Sequence, residues 1–596
     1  MSLPDSSSKP SAVVKALAIP ELASTVFSTS FRRDLRSLAC VSRYMFNIAT
    51  PLLWRETTAW ELLHLVKTVL VYPKLEEGVS YVFSLNHIHS TSKRPFERFH
   101  FYAPRVETLV VYENGPTRVI FPYHPADLDP YEVMGWDILF QEAKLHAGPL
   151  LPKLKSILFM QDVFPTHGLA ELKRIAVFAT HNLERLSLVP SHLYPHAAIP
   201  YAVASSILRE LTLISPTIRT LELAASRNIN SSPNPLALQE ALIHQSSEPW
   251  YHHLKQLQKL RSLTLSEACL RPACFEIISS LPELASLSII QETHESWDYD
   301  LLIEHITNIR VPDESFLNLT HLSLNGLELD IIEKLLSFNP LLFQVISLEL
   351  RFWVDPNALS NYPDPDEEYA TFWTLFSSLR GIPCLQELIA ALCPSRDTGP
   401  FTRLVDQAGR MGVNTSLTHV YLGGMYFEMS PDYSCVPGLI RIWPNLQTLS
   451  IPSQPASIEE LKSFAGFPKL LKLTVALDLD SPSSHTPSLS RSTHAPLTIL
   501  ASSGRVRLSD DNPELHTRVS ELLCLWPSLQ SVTWIDSNSA RMNQARVLNQ
   551  IIRGCQGSSS ACETPSRPRE LVDNVSLALN QLINNSEENP DQNTYY

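Results

Sequence analysis

A short apolar pattern recurs along most of this 596-residue chain and constrains its fold more than any other feature. Each copy has an apolar residue, a second one three positions later and a third two positions after that. The last two flank another residue, a spacing that predicts a short strand with one buried face. The complete copies begin at Val106, Leu154, Leu183, Leu208, Ile218, Leu260, Leu284, Leu319, Val345, Leu417, Leu446, Leu470 and Leu529, and weaker ones begin at Leu385 and Leu497.

The segments between the copies are predicted to be helices. Residues 330–338 repeat apolar side chains at helical spacing, residues 369–379 follow an acidic loop, and Ser457 with Glu460 forms a capping box. Alternating strands and helices at intervals of about 24 to 42 residues are typical of an α/β solenoid of the leucine-rich-repeat kind, which we place at residues 105–553. Prolines two residues before a copy end the preceding helix: Pro152, Pro216, Pro282, Pro383, Pro444, Pro468 and Pro527.

Composition excludes several classes of function. The chain has 45 prolines but only 17 glycines, and it contains none of the glycine-rich motifs that bind nucleotide phosphates. Its formal net charge of −14 comes without a basic run, so we expect neither nucleic-acid binding nor attachment to an anionic membrane surface. We expect no transmembrane span, because no uncharged apolar stretch approaches 18 residues.

No constellation of residues indicates catalysis, a cofactor or a metal. The nine cysteines are scattered without a Cys-x-x-Cys pair, as expected of free thiols in a reducing compartment. His252 with His253, and His87 with His89, lack further ligands at suitable spacing, and the acidic residues in 364–368 suit a solvated loop. Without such a constellation, we predict that the protein is not an enzyme. The N-terminus lacks the features of a signal peptide, so we predict a cytoplasmic or nuclear location.

The remaining segments are shorter. Residues 1–16 are predicted to be disordered, residues 17–57 to form three short helices, residues 58–104 to be a mostly helical linker and residues 554–596 to be a disordered tail. Within the three-helix module, Asp34 is expected to cap the second helix. A break is expected at Pro51.

The module contains Ile19-Pro20-Glu21-Leu22, Arg33-Asp34-Leu35-Arg36-Ser37-Leu38, Val41-Ser42-Arg43 and Pro51-Leu52-Leu53-Trp54-Arg55, and Tyr102-Ala103-Pro104-Arg105-Val106 follows downstream. Through these motifs it resembles an F-box, and most closely the large F-box families of mushroom-forming fungi. The sequence departs from the family at Ile19, which replaces a leucine, and at residues 28–30, where Ser-Thr-Ser replaces an apolar helix end.

The resemblance implies a substrate receptor of an SCF-type cullin–RING ubiquitin ligase. Its F-box would dock a Skp-type adaptor, and through it a cullin, while the repeats bind a target protein. The residues it implies for adaptor binding are Ile19, Pro20, Leu22, Leu35, Leu38, Val41 and Trp54, with Ser42 and Arg43 as polar contacts. Some of these, Leu38, Val41 and Trp54 in particular, would equally serve to hold the helices together, and the sequence leaves both roles open.

The repeats leave two further questions open. Members of the leucine-rich-repeat family often carry Asn or Cys eight residues after the first leucine, but here those positions hold Asp162, Ser191, Ala268, Leu327, Trp353 and Met425. We therefore expect apolar packing to set the register between repeats. Target contacts are expected between the apolar strand positions, at Thr264, Ser288, Ser323, Glu349, Tyr421 and Ser450. The alternative functions are a protein-binding scaffold that does not couple to a ligase and an enzyme that uses the solenoid as its scaffold.

Overall fold

The structure is a computed structural model with two compact units, Met1–Leu319 and Thr320–Tyr596. It describes residues 19–66, 70–74, 80–84, 96–112, 132–134, 136–145, 148–160, 175–188, 199–226, 249–291, 299–353, 379, 382–393, 413–425, 427, 436–479, 496–503, 515–534 and 539–559. The predicted disordered N-terminus, the helix at 369–379 apart from its last residue, His87, His89 and the acidic residues in 364–368 lie outside the described residues.

The described residues of the first unit begin with three helices: α1 (Pro20–Ser28), α2 (Arg32–Ala39) and α3 (Arg43–Arg55). They share a small core of Ala23, Phe27, Leu35 and Ala49. Packed around it are the partly buried Leu38, Ala39, Met45, Ile48, Leu52 and Leu53. The helical module of residues 19–55 therefore has an apolar centre of its own.

The helix ends in this module differ from the predicted ones. Asp34 does not cap α2, because the helix begins at Arg32 and Asp34 lies in its first turn, where a negative charge still suits the helix dipole. Ser42 instead caps α3, and its Oγ accepts the Met45 backbone N–H at 3.1 Å. The break predicted at Pro51 is wrong, since α3 continues through it to Arg55.

The rest of the first unit alternates strands and helices. Its strands are β1 (Glu56–Thr58), β2 (Leu70–Lys74), β3 (Ser80–Ser84), β4 (Thr108–Tyr112), β5 (Glu132–Met134), β6 (Ser156–Met160), β7 (Arg185–Ser187), β8 (Ile199–Pro200), β9 (Thr220–Leu223), β10 (Ala225–Ser226), β11 (Ser262–Ser266) and β12 (Ser286–Ile290). Its further helices are α4 (Ala59–Leu63), α5 (Glu97–Tyr102), α6 (Trp136–Leu145), α7 (Tyr201–Ile214), α8 (Pro272–Ser279) and α9 (Tyr299–Thr307). A parallel sheet runs in the order β1-β4-β6-β7-β9-β11-β12, and small separate sheets join β8 to β10 and β2 to β3 and β5.

The second unit continues the same alternation. Its strands are β13 (His321–Asn325), β14 (Ser347–Trp353), β15 (Glu387–Cys393), β16 (His419–Gly423), β17 (Thr448–Ala456), β18 (Lys472–Leu477), β19 (Ile499–Ser502) and β20 (Ser531–Trp534). Its helices are α10 (Leu329–Leu336), α11 (Asn339–Leu342), α12 (Val436–Ile442), α13 (Ile458–Phe464), α14 (Leu515–Leu525) and α15 (Ser539–Ser559). The strands pair in parallel and in chain order, and the capping box predicted at Ser457 is present.

The recurrent apolar pattern marks the parallel strands, as predicted, with one exception. In the other copies, every apolar residue whose burial is described is at most 4 % exposed. The copy beginning at Leu208 is wrong as a strand, because it lies in α7. There Leu208 and Leu211 are buried one helical turn apart, beside Ala204 and Ile207, whereas Leu213 is 73 % exposed.

We expected apolar packing to set the register between repeats, but side-chain hydrogen bonds between neighbouring repeats contribute as well. Asparagines directly before the first apolar residue of a copy donate their side-chain amides to a carbonyl of the preceding repeat. The acceptors of Asn182, Asn318 and Asn445 are the carbonyls of Pro152, Pro282 and Thr415, at 3.1, 2.7 and 2.6 Å. Ser416 makes the equivalent bond to the Pro383 carbonyl at 2.9 Å. Three of the four acceptors are the carbonyls of prolines, since proline lacks a backbone N–H but keeps its carbonyl oxygen.

The boundaries of the repeat region also differ from the prediction. Among the described residues of 58–104, strands β2 and β3 lie between helices α4 and α5, and the sheet begins at β1, where Glu56 pairs with Thr108. At the other end, Gly554 lies inside α15 rather than in a tail, because Leu548, Ile551 and Ile552 are buried on that helix. β1 has only three residues, too few for a periodic signal, and the residues of α15 after Ile552 are polar or small, so its end is not marked in the sequence.

Candidate functional site

The helical module exposes unusually many large apolar side chains for its size. On α1, Ala23 and Phe27 face the module core, so Leu22 and Val26 point the other way. Leu22 is 48 % exposed and Val26 is 54 % exposed, and Ile19 directly before the helix is 47 % exposed. These residues follow helical spacing and form one outward apolar face.

The turns between the helices expose further apolar residues. Phe31, before α2, is 82 % exposed, Val41, before α3, is 69 % exposed and Tyr44 is 37 % exposed. The neighbouring Ser42 and Arg43 are exposed as well. We call Ile19, Leu22, Val26, Phe31, Val41 and Tyr44 the exposed apolar set. Large apolar groups left in water on a small module are typical of a protein-binding surface.

The structure separates the nine residues of the predicted adaptor site into two groups. Six are exposed: Ile19, Pro20, Leu22, Val41, Ser42 and Arg43. Leu35 lies in the module core at 5 % exposure, Leu38 packs against that core, and Trp54 stacks on Tyr102 with ring centroids 4.6 Å apart. These three make contacts within the protein, and a role for them in adaptor binding stays a prediction.

Sequence reasoning missed Val26, Phe31 and Tyr44. Val26 lies four residues after Leu22, which places both on one face of α1. Phe31 stands between polar residues in a turn, and Tyr44 comes directly after Ser42 and Arg43. The helical spacing from Leu22 was a usable signal for Val26, whereas the other two could be assigned only once the turns were known.

Ion pairs and ring contacts join the helical module to the sheet of the first unit. Glu61 accepts a hydrogen bond from Arg32 at 2.6 Å, from the Thr57 hydroxyl at 2.9 Å and from the Thr58 N–H at 3.3 Å. Burial acts to raise the pKa of Glu61, but these donors and the Arg32 charge outweigh it and hold the pKa below its usual value. Arg36 lies 3.6 Å from the same carboxylate.

A second link runs from the end of α3. Arg55 lies 3.5 Å from the Glu107 carboxylate, and Lys155 contacts the same group at 3.1 Å. Glu107 also donates its backbone N–H to the Arg55 carbonyl. Trp54 of α3 stacks on Tyr102, the last residue of α5, which precedes β4 in the chain. The module is thus fastened to the first strands of its unit by both polar and apolar contacts.

The charge of the module is opposite to that of the chain. Residues 19–55 contain five arginines, Arg32, Arg33, Arg36, Arg43 and Arg55, against two acidic residues, Glu21 and Asp34. Their formal charge is +3, within a chain whose net charge is −14. In the described part of the chain, Arg33 and Arg43 contact no carboxylate within ion-pair distance.

The predicted target positions all lie on strands, between buried residues. Thr264, Ser288 and Ser323 are half-buried, and Tyr421 is 38 % exposed. Glu349 accepts hydrogen bonds from Ser323 at 2.9 Å and from Arg351 at 2.6 Å. The face of the sheet opposite the core is therefore polar and internally bonded over much of its area.

Other candidate chemistry finds no support within the described residues. They hold no group of three or more potential metal ligands, and no helix among them is both long and apolar enough to cross a membrane. Burial raises the pKa of the Cys269 and Cys274 thiols strongly, which makes these thiols unreactive. His252 and His253 lie together in a 3₁₀ turn, His252–Gln256.

Comparison with known proteins finds similarity among solved structures. No family model and no curated protein matches the chain. Among solved structures it is similar to the leucine-rich repeat-containing protein LegL7 from Legionella pneumophila, with 18% sequence identity and a TM-score of 0.28. The similarity covers 50% of this chain and 82% of that one.

Proposed function

We propose that this chain is the substrate receptor of an SCF-type cullin–RING ubiquitin ligase, in which residues 19–55 act as an F-box that docks a Skp-type adaptor. The repeats would then hold a target protein, and the adaptor would connect the chain to a cullin. The chain itself performs no chemistry in this proposal, because ubiquitin transfer belongs to the partner ligase.

The observation that carries the proposal is the exposed apolar set. The module buries only a few residues in its own core, yet it leaves six large apolar side chains between 37 and 82 % exposed. Exposing such groups to water costs free energy, which a partner groove recovers by burying them. A few apolar anchors of this kind dominate the energy of a helix-in-groove interface.

Charge supports the same assignment. The module carries a formal charge of +3; Arg32, Arg36 and Arg55 pair with Glu61 and Glu107, which leaves Arg33 and Arg43 to attract an acidic partner. Arg33 and Arg43 are exposed near Phe31 and Val41 in sequence and are placed to contact carboxylates at the rim. We expect the docking to weaken as salt rises.

The second candidate is a repeat scaffold that has lost its connection to the ligase. It is favoured by the Ser-Thr-Ser segment at residues 28–30, where the F-box families carry an apolar helix end. Ser28 and Thr29 are exposed, and their hydroxyls donate to the carbonyls of Thr25 and Val26 at 2.7 and 2.8 Å. They complete the end of α1 but add nothing to an apolar interface.

A binding assay with a purified Skp-type adaptor separates the two candidates. Full-length chain is immobilised and the adaptor affinity is measured for the unsubstituted protein, for L22E with V26E, and for L213E. Leu213 is 73 % exposed on α7, so L213E is a matched control for adding charge at an exposed leucine. Loss of two central anchors is expected to weaken binding by about 30-fold or more.

The outcomes are distinct. A ligase receptor binds the adaptor, loses that binding in the double variant and retains it in L213E. A scaffold binds in none of the three forms. Equal binding in all three forms contradicts a role for α1 in docking. Trp54→Ala also weakens binding in this proposal, but through unfolding of the junction with Tyr102, so the thermal midpoint must fall with it.

A further inference from the structure

Tyr201, Trp250 and Arg271 form a cluster of contacting side chains in the first unit. The guanidinium carbon of Arg271 lies 5.1 Å from the centre of the Tyr201 ring, and Arg271 Nη2 donates to the Tyr201 hydroxyl at 3.4 Å. The Trp250 and Tyr201 rings are stacked, with centroids 5.8 Å apart. Tyr201 therefore joins the arginine and the tryptophan in one cluster.

Two helices begin at this cluster. Tyr201 is the first residue of α7, and Arg271 directly precedes α8. Neither helix has a side-chain cap at its N-terminus, so the positive ends of both suit a negative charge. Arg271 follows β11 after one short turn, Glu267–Leu270, so the cluster lies beyond the carboxyl end of that strand. Ligands of open α/β sheets bind at this end of the strands.

The cluster has more hydrogen-bond donors than acceptors. Trp250 is 4 % exposed and its Nε1 has no hydrogen-bond partner within the described residues, and Arg271 Nε is likewise buried without one. In the same part of the chain no carboxylate lies within ion-pair distance of Arg271, which donates to the Tyr201 hydroxyl instead. Buried donors without acceptors cost free energy, so the cluster suits an acceptor that carries negative charge.

The buried neighbours of Arg271 do not compensate its charge. Burial raises the pKa of the Tyr251 hydroxyl and of the Cys274 thiol, and the Arg271 guanidinium opposes both shifts without reversing them. Both groups are therefore neutral at neutral pH. Arg271 itself is half-buried, and the two residues after it, Pro272 and Ala273, are small and reach the surface, so a ligand can approach.

We propose that Arg271 binds the carboxylate of an aspartate or glutamate side chain of the target protein, at the N-termini of α7 and α8. The Tyr201 ring holds one face of the guanidinium, which leaves its Nη1 and Nη2 end for two parallel hydrogen bonds to a carboxylate. The chain's charge of −14 opposes an acidic ligand, so a measured preference for one is local to this cation. This inference rests on the proposed target-binding role of the repeats.

Short peptides and a tryptophan signal test the site without the adaptor. The probes are Gly/Ser peptides that differ only in a central Glu, Asp, Gln or Lys, titrated into full-length chain labelled with fluorotryptophan and followed by fluorine NMR. W250F identifies the Trp250 signal among those of the 10 tryptophans, and that signal reports on the ring that Arg271 contacts. The Glu and Asp peptides are expected to shift it and to bind about fivefold or more tightly than the Gln peptide, with the Lys peptide binding least tightly.

Variants assign the preference to Arg271. R271Q is expected to remove it, and R271K, which keeps the charge without the planar fork, to retain only part of it. R219Q is the matched control and keeps the preference, because Arg219 is an exposed arginine of the same unit that directly precedes β9, at the amino ends of the strands. Unchanged thermal midpoints verify that the variants fold. If R271Q does not fold, R271K decides, since an undiminished preference in that variant contradicts binding by the fork.

Three results would overturn the site. They are the absence of an acidic preference in the unsubstituted chain, a preference that leaves the Trp250 signal in place, and a preference that survives in R271Q. None of them bears on adaptor docking, because no adaptor is in the assay. Conversely, a chain that fails to bind the adaptor can still show the acidic preference. Failure of this inference is therefore distinguishable from failure of the proposed ligase role.

Discussion

The last strand of the sheet in the second unit is closed by a side chain, and this contact allows a sharp test. β20 ends the strand order among the described residues, so one of its edges would present unpaired backbone groups. Asn549 on α15 accepts the Val532 N–H at 2.7 Å and donates its amide to the Val532 carbonyl at 2.9 Å. One asparagine side chain thus satisfies the two groups that a further strand would have paired.

Asn549→Ala removes both bonds while Val532 stays fully buried. A buried backbone group without a partner costs about 1–3 kcal/mol, which gives about 2–6 kcal/mol for the pair. Two effects reduce this cost. Water reaches part of the site because Asn549 is half-buried, and alanine favours the helix over asparagine by about 0.5 kcal/mol. We therefore expect a net local destabilisation of about 2 kcal/mol.

Hydrogen exchange followed by mass spectrometry measures this local opening, since global unfolding of a long repeat array need not be two-state. A destabilisation of about 2 kcal/mol raises exchange in peptides covering β20 by about 30-fold. Gln550→Ala is the control, because Gln550 is exposed on the same helix. If β20 exchanges no faster in Asn549→Ala than in Gln550→Ala, the edge is not held by this side chain and the reasoning is wrong.

Three further predictions concern single contacts. The pKa of the Glu61 carboxyl is lower in the folded chain than in the unfolded chain, so the carboxylate stabilises the fold fully above the unfolded pKa and loses this effect as pH falls through the folded pKa. Urea unfolding midpoints measured from pH 7 to 3 should show this loss of stability, and Glu61→Gln should make the midpoint less dependent on pH. Asn318→Ala breaks the hydrogen bond to the Pro282 carbonyl and should lower the free energy of unfolding by about 1 kcal/mol. An unchanged urea unfolding midpoint would mean that apolar packing sets the register without this bond. Ser457→Ala removes half of a capping box and should cost about 1 kcal/mol, seen as faster exchange in α13, while equal exchange in Leu213→Ala and Ser457→Ala would contradict it.

Which residues of the helical module are buried and which are exposed was only partly predictable from the sequence. Leu35 and Leu22 are both leucines near the start of a helix, and nothing in their type separates a core residue from an exposed one. The difference arises from packing, since Leu35 faces Phe27 and Ala49 whereas Leu22 faces water. Trp54 shows the same limit, because its partner Tyr102 lies far along the chain.

In the repeat region, one copy of the apolar pattern predicts the wrong secondary structure. Leu208, Leu211 and Leu213 have the same spacing as the strand copies, yet they belong to α7. Spacings of three and five fit either structure when only three residues are compared, and the buried Ala204 and Ile207 decide for a helix. The asparagine bonds were missed for a related reason, since their acceptors lie about 30 residues earlier in the chain.

By itself, the sequence determined the repeat architecture, because a strand that must bury alternate residues repeats its apolar pattern wherever the strand recurs. It also indicated the three short helices through local spacing, although not where they begin and end. Only the tertiary structure decided which apolar residues of the helical module remain in water and that Ser42 caps a helix. It alone placed Asn549 at a sheet edge. Those outcomes depend on contacts between residues distant in the chain, which leave no periodic signal in the sequence.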